Sequence, residues 1–136
     1  QFEKNSPFDS FIDYIKNNVN KKEKLLLVSN SLEIKNKFKT TLCDRTFIDN
    51  NVYLNDDNRS NLEGMKSSIQ DFLNLANSDM IIGSYSSSFS DEASFIKLIP
   101  KIMPLNKSID LSSVLNYHCY NLVKFNNVVI LNHKDN

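Results

Sequence analysis

Short apolar runs set between amphipathic segments limit how this chain can fold more than any other feature. Leu25-Leu26-Leu27-Val28 is uninterrupted, as in strands buried on both faces of a parallel sheet. Thr46-Phe47-Ile48, Met80-Ile81-Ile82 and Ile102-Met103 before Pro104 read as further short strands. Between them the spacing is helical. Ser6 as N-cap, Pro7 at the first helical position and Asp9 open a helix over residues 7 to 19, with Phe8, Phe11, Ile12, Ile15 and Val19 on its apolar side. Asn30 and Glu33 form a capping-box-like start to a second helix carrying Leu32, Phe38 and Leu42. Leu62, Met65, Ile69, Phe72, Leu73 and Ala76 mark a third, and a fourth runs from Asp91 to Leu98. The alternation predicts a three-layer α/β domain with a mainly parallel sheet and right-handed crossovers. Residues 49 to 61 read as a polar loop long enough to carry function, residues 111 to 125 as loosely helical, and Val128-Val129-Ile130-Leu131 as an edge strand or docked tail.

A chain of 136 residues has room for one domain with a core. Sixteen basic residues balance sixteen acidic ones, so no net field favours wrapping nucleic acid or adhering to an anionic membrane. Cys43 and Cys119 lack the pairing of a zinc site or a disulfide scaffold, and a reducing, cytoplasmic setting is the simpler reading. No run reaches the length of a membrane span.

The candidate site is the run from Asp79 to Ala93, which reads as a buried strand, a turn dense in hydroxyls and a helix start. In such a junction Gly83 lets backbone approach a ligand, while Ser84, Ser86, Ser87, Ser88 and Ser90 offer hydroxyls beside a helix N-terminus. An anion such as a diphosphate suits that arrangement. The plainer alternative is an ordinary strand-to-helix turn with capping serines. The chain has only one other glycine, Gly64, in the first turn of the third helix. Asp71 lies within the apolar run of that helix, and its carboxylate can accept two parallel hydrogen bonds, matching the N1–H and exocyclic amine of guanine. A solvent-facing helix aspartate is the alternative there. Asp56-Asp57 reads as a solvated pair and His118, Cys119 and His133 as structural, so no metal is expected.

Asn5-Ser6-Pro7 before a helix, Arg59-Ser60-Asn61-Leu62-Glu63-Gly64 opening another, Asp71-Phe72-Leu73, and Ile81-Ile82-Gly83-Ser84-Tyr85-Ser86-Ser87-Ser88-Phe89-Ser90 together resemble the donor-binding half of fucosyltransferase-like GT-B glycosyltransferases. These are the enzymes related to α1,6-fucosyltransferases, nodulation fucosyltransferases and protein O-fucosyltransferases. The resemblance covers roughly residues 1 to 105 of a single domain, leaving 106 to 136 as a C-terminal helix and tail. It implies a Rossmann-like half of a GT-B fold in which Gly83, Ser84, Ser86, Ser87, Ser88, Phe89 and Ser90 hold a donor diphosphate and Asp71 reads guanine. It also places Arg59 and Glu63 near the donor, the arginine against phosphate charge and the glutamate pairing with it or capping the helix. The implied donor is a GDP-sugar, with fucose favoured by the family, no metal, an acceptor glycan or protein that the residues do not identify, and an upstream acceptor domain.

Two departures from the family pattern bear on activity. The strand-end motif of a threonine and two aspartates corresponds here to Val28-Ser29-Asn30-Ser31, without acidic groups. The family's histidine–arginine–aspartate segment, whose arginine stabilises the departing diphosphate, falls before residue 1. Two other readings therefore stand beside the glycosyltransferase: a non-catalytic nucleotide-binding or interaction module, and an unrelated doubly wound α/β domain whose serine turn only caps a helix.

Overall fold

The protein is described from a computed structural model, covering residues 5–49, 62–85, 87–106, 108 and 112, with the backbone of 129–132. Strands and helices alternate as α1 (Phe8–Asn18), β1 (Lys24–Leu26), α2 (Leu32–Thr41), β2 (Thr46–Ile48), α3 (Leu62–Ala76), β3 (Ile81–Ile82), α4 (Ser88–Ile96), β4 (Lys101–Pro104) and β5 (Val129–Asn132). Every strand pairing is parallel, so the chain has an α/β architecture. The expectation of a single sheet is corrected: β1 pairs with β2 from Lys24↔Thr46 to Leu26↔Ile48, while β3, β4 and β5 form a second sheet in that order. The last strand of the sequence is an edge strand, aligned with β4 from Lys101↔Val129 to Pro104↔Asn132. Central β4 is buried along its whole length, as expected of a strand flanked on both sides.

The core under α1 follows the helical spacing. Ile12 and Ile15 are buried against Leu42, and Phe8, Val19, Leu25, Phe38, Phe47 and Ile82 pack around them. Phe8 and Phe38 meet edge to face with centroids 4.7 Å apart. The end of α1 is closed from a distance: Arg45 donates from Nη1 to the Val19 carbonyl at 2.7 Å and from Nη2 to the Ile15 carbonyl at 3.3 Å. The guanidinium engages the Val19 carbonyl and adds a second donor to Ile15 O, which already accepts from Val19 N at 3.0 Å, at the negative end of the helix dipole.

Several local expectations are corrected by contacts made elsewhere. Ser6 does not cap α1; the N-cap is Pro7 without a side-chain hydrogen bond, and the Ser6 hydroxyl accepts from Tyr85 N at 3.0 Å instead. On α2 the cap is Ser31 rather than Asn30, accepting from Ile34 N at 3.3 Å. Leu32 is exposed while Lys35 is buried, because the Lys35 stem packs inward and its ammonium ends on Asp49 at 2.6 Å. On α3 the expected core face is corrected in part: Leu62, Met65, Ile69 and Leu73 are exposed, while Ala76 is buried and Phe72 half-buried as expected, joined by buried Gly64 and Asp71. That side is buried because α3 packs on α4, where Phe72 meets Phe89 edge to face at 5.5 Å. Helix α4 begins at Ser88, three residues before the Asp91 expected from the sequence.

The exit from α4 carries a locally unfavourable residue. Leu98 adopts φ 55° after the C-cap Lys97, and Ile99 N donates back to the Ser94 carbonyl at 3.0 Å, the six-to-one bond of a Schellman ending. Glycine is the residue that adopts this backbone without a Cβ penalty, and the Leu98 side chain is half exposed. Leu98→Gly is expected to raise stability by about 1 kcal/mol. Urea denaturation with an unchanged slope and a higher midpoint measures it, and an unchanged or lower midpoint counts against it.

Candidate functional site

Both strand-to-helix turns, after β1 and after β3, open onto one cavity of about 1170 Å³. Ser29, Asn30 and Ser31 line it from the β1 side, and Gly83, Ser84, Ser87, Phe89 and Ser90 from the β3 side. These turns follow the carboxyl ends of their strands, where parallel α/β folds place ligands. Phe8, Phe11 and Phe38 also line it, so the cavity wall combines hydroxyls with aromatic rings.

The β1 turn spends much of its polarity on itself. Ser29 Oγ accepts from Ser31 N at 3.1 Å, and Ser31 Oγ caps α2. Behind it, Asp49 follows the end of β2 and accepts from Lys35 at 2.6 Å and from Lys39 at 3.0 Å. Burial opposes ionisation of Asp49, but the hydrogen bonds and charges of the two lysines outweigh it and hold the carboxyl below its usual range.

The β3 turn differs in a way that matters for an anion. The N-cap of α4 is Ser87, whose side chain makes no capping hydrogen bond, so the first-turn N–H groups lack that acceptor. Ser90 is buried and donates to the Ser87 carbonyl at 3.2 Å, serving the turn rather than the open cavity. Gly83 fits tightly: a Cβ there would lie 2.8 Å from Ser90 Oγ and 3.0 Å from Lys101 Cε. Its absent side chain therefore admits both neighbours.

Beneath the turn lies a cation that sequence reasoning missed. Lys101 opens β4, is 0% exposed, and donates from Nζ to the Ser84 carbonyl at 2.9 Å and to the Asp91 carboxylate. Asp91, in the first turn of α4, is also buried. Burial pushes the Lys101 ammonium below its usual range, and the charge and hydrogen bond of Asp91 oppose that shift. A lysine opening an apolar strand, ten residues after an aspartate, was the available signal; spacing alone gives no reason to pair them across a helix and a strand.

The remaining predicted site residues fall into three groups. Asp71 is 5% exposed on α3, one turn before Asn74, which lines the cavity. Ser88 is exposed at the start of α4, and Glu63 is exposed, 3.8 Å from Lys66. Ser86 and Arg59 lie outside the described residues, as do Asp56, Asp57, His118, Cys119 and His133. Among the described residues no three His, Cys, Asp or Glu side chains gather at metal-binding distance. No helix among them is long and apolar enough to cross a membrane. Comparison with protein-family models, curated proteins and solved structures gives no match.

Two outcomes follow from this geometry. Gly83→Ala forces Ser90 and Lys101 apart and is expected to cost about 1 to 3 kcal/mol, read by thermal or urea unfolding; wild-type stability would show that the turn gives way freely. For Asp49, a folded pKa below the ordinary 3.8 means its stabilisation is present above that value and lost as pH falls through the folded pKa. Asp49→Asn should accordingly lower stability near neutral pH and flatten its acid-side decline. Parallel stability–pH profiles for variant and wild type would refute this.

Proposed function

We propose that this domain binds a nucleoside-diphosphate sugar, with guanosine diphosphate as the nucleotide, as the Rossmann-like donor half of a GT-B glycosyltransferase. The observation that carries the reading is the shared cavity at two strand ends, one of them closed by a serine turn whose helix has no side-chain cap. A diphosphate at that turn accepts from the first-turn N–H groups of α4 and from the nearby hydroxyls, with the positive end of the helix dipole behind them. Phosphate binding of this type needs no net positive charge on the chain, which carries none.

Asp71 is assigned to the base. Asp71 is buried on α3 and does not itself line the cavity, as Asn74 one turn later does, so the assignment rests on the resemblance and on the ability of a carboxylate to accept from the paired donors of guanine. By the resemblance, Ser84, Ser86, Ser87, Ser88 and Phe89 are assigned to the diphosphate, with Ser90 bracing the turn through the Ser87 carbonyl and Gly83 giving the close approach. Arg59 precedes α3 in the sequence, and Glu63 lies in its first turn. The resemblance to fucosyltransferase-like enzymes favours fucose as the sugar, a metal-independent inverting transfer, and a separate domain for the glycan or protein acceptor. In that transfer the charge leaving on the nucleotide is stabilised by oriented N–H groups and an arginine. A cytoplasmic location fits the cysteine usage.

One observation favours a second reading, a nucleotide-binding module without transferase activity. In the β1 turn, where the resembled enzymes carry two acids, the Ser29 and Ser31 hydroxyls are engaged with backbone N–H groups. Such a module binds the nucleotide and leaves the sugar bond intact.

Calorimetric titration of the full chain with GDP, UDP and ADP tests the shared core of both readings. GDP is expected to bind at least tenfold more tightly than the other two, and Asp71→Ala to remove that preference, a difference of about 1.4 kcal/mol or more. Equal, negligible binding of all three nucleotides would sink the nucleotide site. A GDP preference that survives Asp71→Ala would sink the base assignment.

A further inference from the structure

We infer that Lys101 is the positioning residue of the serine turn, holding one peptide in the orientation that makes the turn a preformed phosphate site; this rests on the nucleotide-diphosphate reading above. The peptide in question joins Ser84 to Tyr85. In a trans peptide the carbonyl and the N–H point in opposite directions, so fastening both fixes the plane of the whole unit. Here both are fastened: the Ser84 carbonyl accepts from Lys101 Nζ at 2.9 Å, and Tyr85 N donates to Ser6 Oγ at 3.0 Å. The anchors come from distant parts of the chain, the first residue of β4 on one side and Ser6, two residues before α1, on the other.

The same carbonyl closes the turn. Ser87 N donates to Ser84 O at 3.3 Å, and Asp91 N donates to Ser87 O at 3.0 Å, so Ser87 links Ser84 to the first hydrogen bond of α4. Lys101 therefore acts on the turn at Ser84 and on the helix at Asp91. Among the described residues, with Tyr85 N, Ser87 N and Asp91 N engaged internally, the N–H groups at the start of α4 that can face an anion are those of Ser88, Phe89 and Ser90, and Lys101 sets where they point. Lys101 does not itself reach the ligand, because it is fully buried with its ammonium on Ser84 and Asp91. Gly83 belongs to the same device, since a Cβ there would meet Lys101 Cε at 3.0 Å. A turn held in its binding shape before the ligand arrives loses less conformational entropy on binding.

This role differs from general stabilisation in what it does to different parts of a nucleotide. Losing the Lys101 anchor should weaken recognition of phosphate and leave recognition of the base alone. Removing Lys101 by itself strands Asp91 as a buried charge and invites unfolding, so the informative protein is the double variant Lys101→Met with Asp91→Asn. Ser6→Ala, which releases the other end of the peptide without touching the ion pair, serves as the second variant.

The 136-residue chain and both variants are titrated with inorganic pyrophosphate, GDP and guanosine, and amide hydrogen exchange is followed at Tyr85, Ser87 and Asp91. In the double variant the expected result is roughly tenfold weaker binding of pyrophosphate and GDP with guanosine unchanged, and faster exchange at Tyr85 and Ser87 while Ile82 and Ile102 keep their protection. Ser6→Ala should shift the same quantities in the same direction by a smaller factor. Wild-type exchange at Tyr85 and Ser87 in folded double variant and Ser6→Ala overturns the positioning role, as does equal weakening of guanosine and pyrophosphate. If the wild-type chain binds none of the three ligands, the nucleotide reading falls, while the exchange rates still decide whether Lys101 and Ser6 fix the turn.

Discussion

The buried pair of Lys101 and Asp91 is the interaction on which the arrangement around the turn depends. It ties the start of β4 to the first turn of α4, and through the Ser84 carbonyl it reaches the segment between β3 and that helix. Taking both charges from water carries a large desolvation cost, which only close geometry and further hydrogen bonds can offset. On the lysine side such a bond is present, since Ser84 O shares the ammonium at 2.9 Å. An ion pair so placed is weak evidence for stability and better evidence for specificity of shape, because an apolar pair would fill the same space without fixing a carbonyl.

The second ionic cluster works by the same physics with less burial. Lys35, fully covered, and Lys39, partly exposed, converge on Asp49 after the end of β2. They join α2 to its strand at the carboxyl edge of the smaller sheet, much as Lys101 and Asp91 join α4 to β4. Arg45 adds a third long-range cation by closing the end of α1. Each sheet thus has a buried or half-buried cation beside it, Lys35 near β2 and Lys101 in β4. The polar turns and the cavity they line stand on this frame.

Much of the fold was legible because it is written in local periodicity. The apolar runs at Leu25, Phe47, Ile81 and Ile102 became strands, and the helical spacing from Phe8 to Val19 became α1, within a residue or two. The strand, turn and helix from Ile81 onward were legible for the same reason. The α3 face was misread because apolar residues lie on more than one side of that helix, and spacing cannot say which side meets α4. Met65, Ile69 and Leu73 look no less core-forming in sequence than Phe72 and Ala76, yet only the latter pair faces inward or half inward. The turn residues were found, but not what holds them, since Ser6 and Lys101 lie 79 and 17 residues from their backbone partners.

By itself, then, the sequence determined an alternating α/β chain with parallel strands and a hydroxyl-rich strand-to-helix junction, because hydrophobic period and turn chemistry act over a few neighbouring residues. Tertiary structure alone decided that the strands divide into two sheets, that Lys35 and Lys101 are buried, and that Ser6 serves the turn instead of capping its own helix. Those outcomes depend on which distant groups arrive to satisfy a buried charge or a backbone N–H, and such partners are chosen by packing rather than by spacing along the chain.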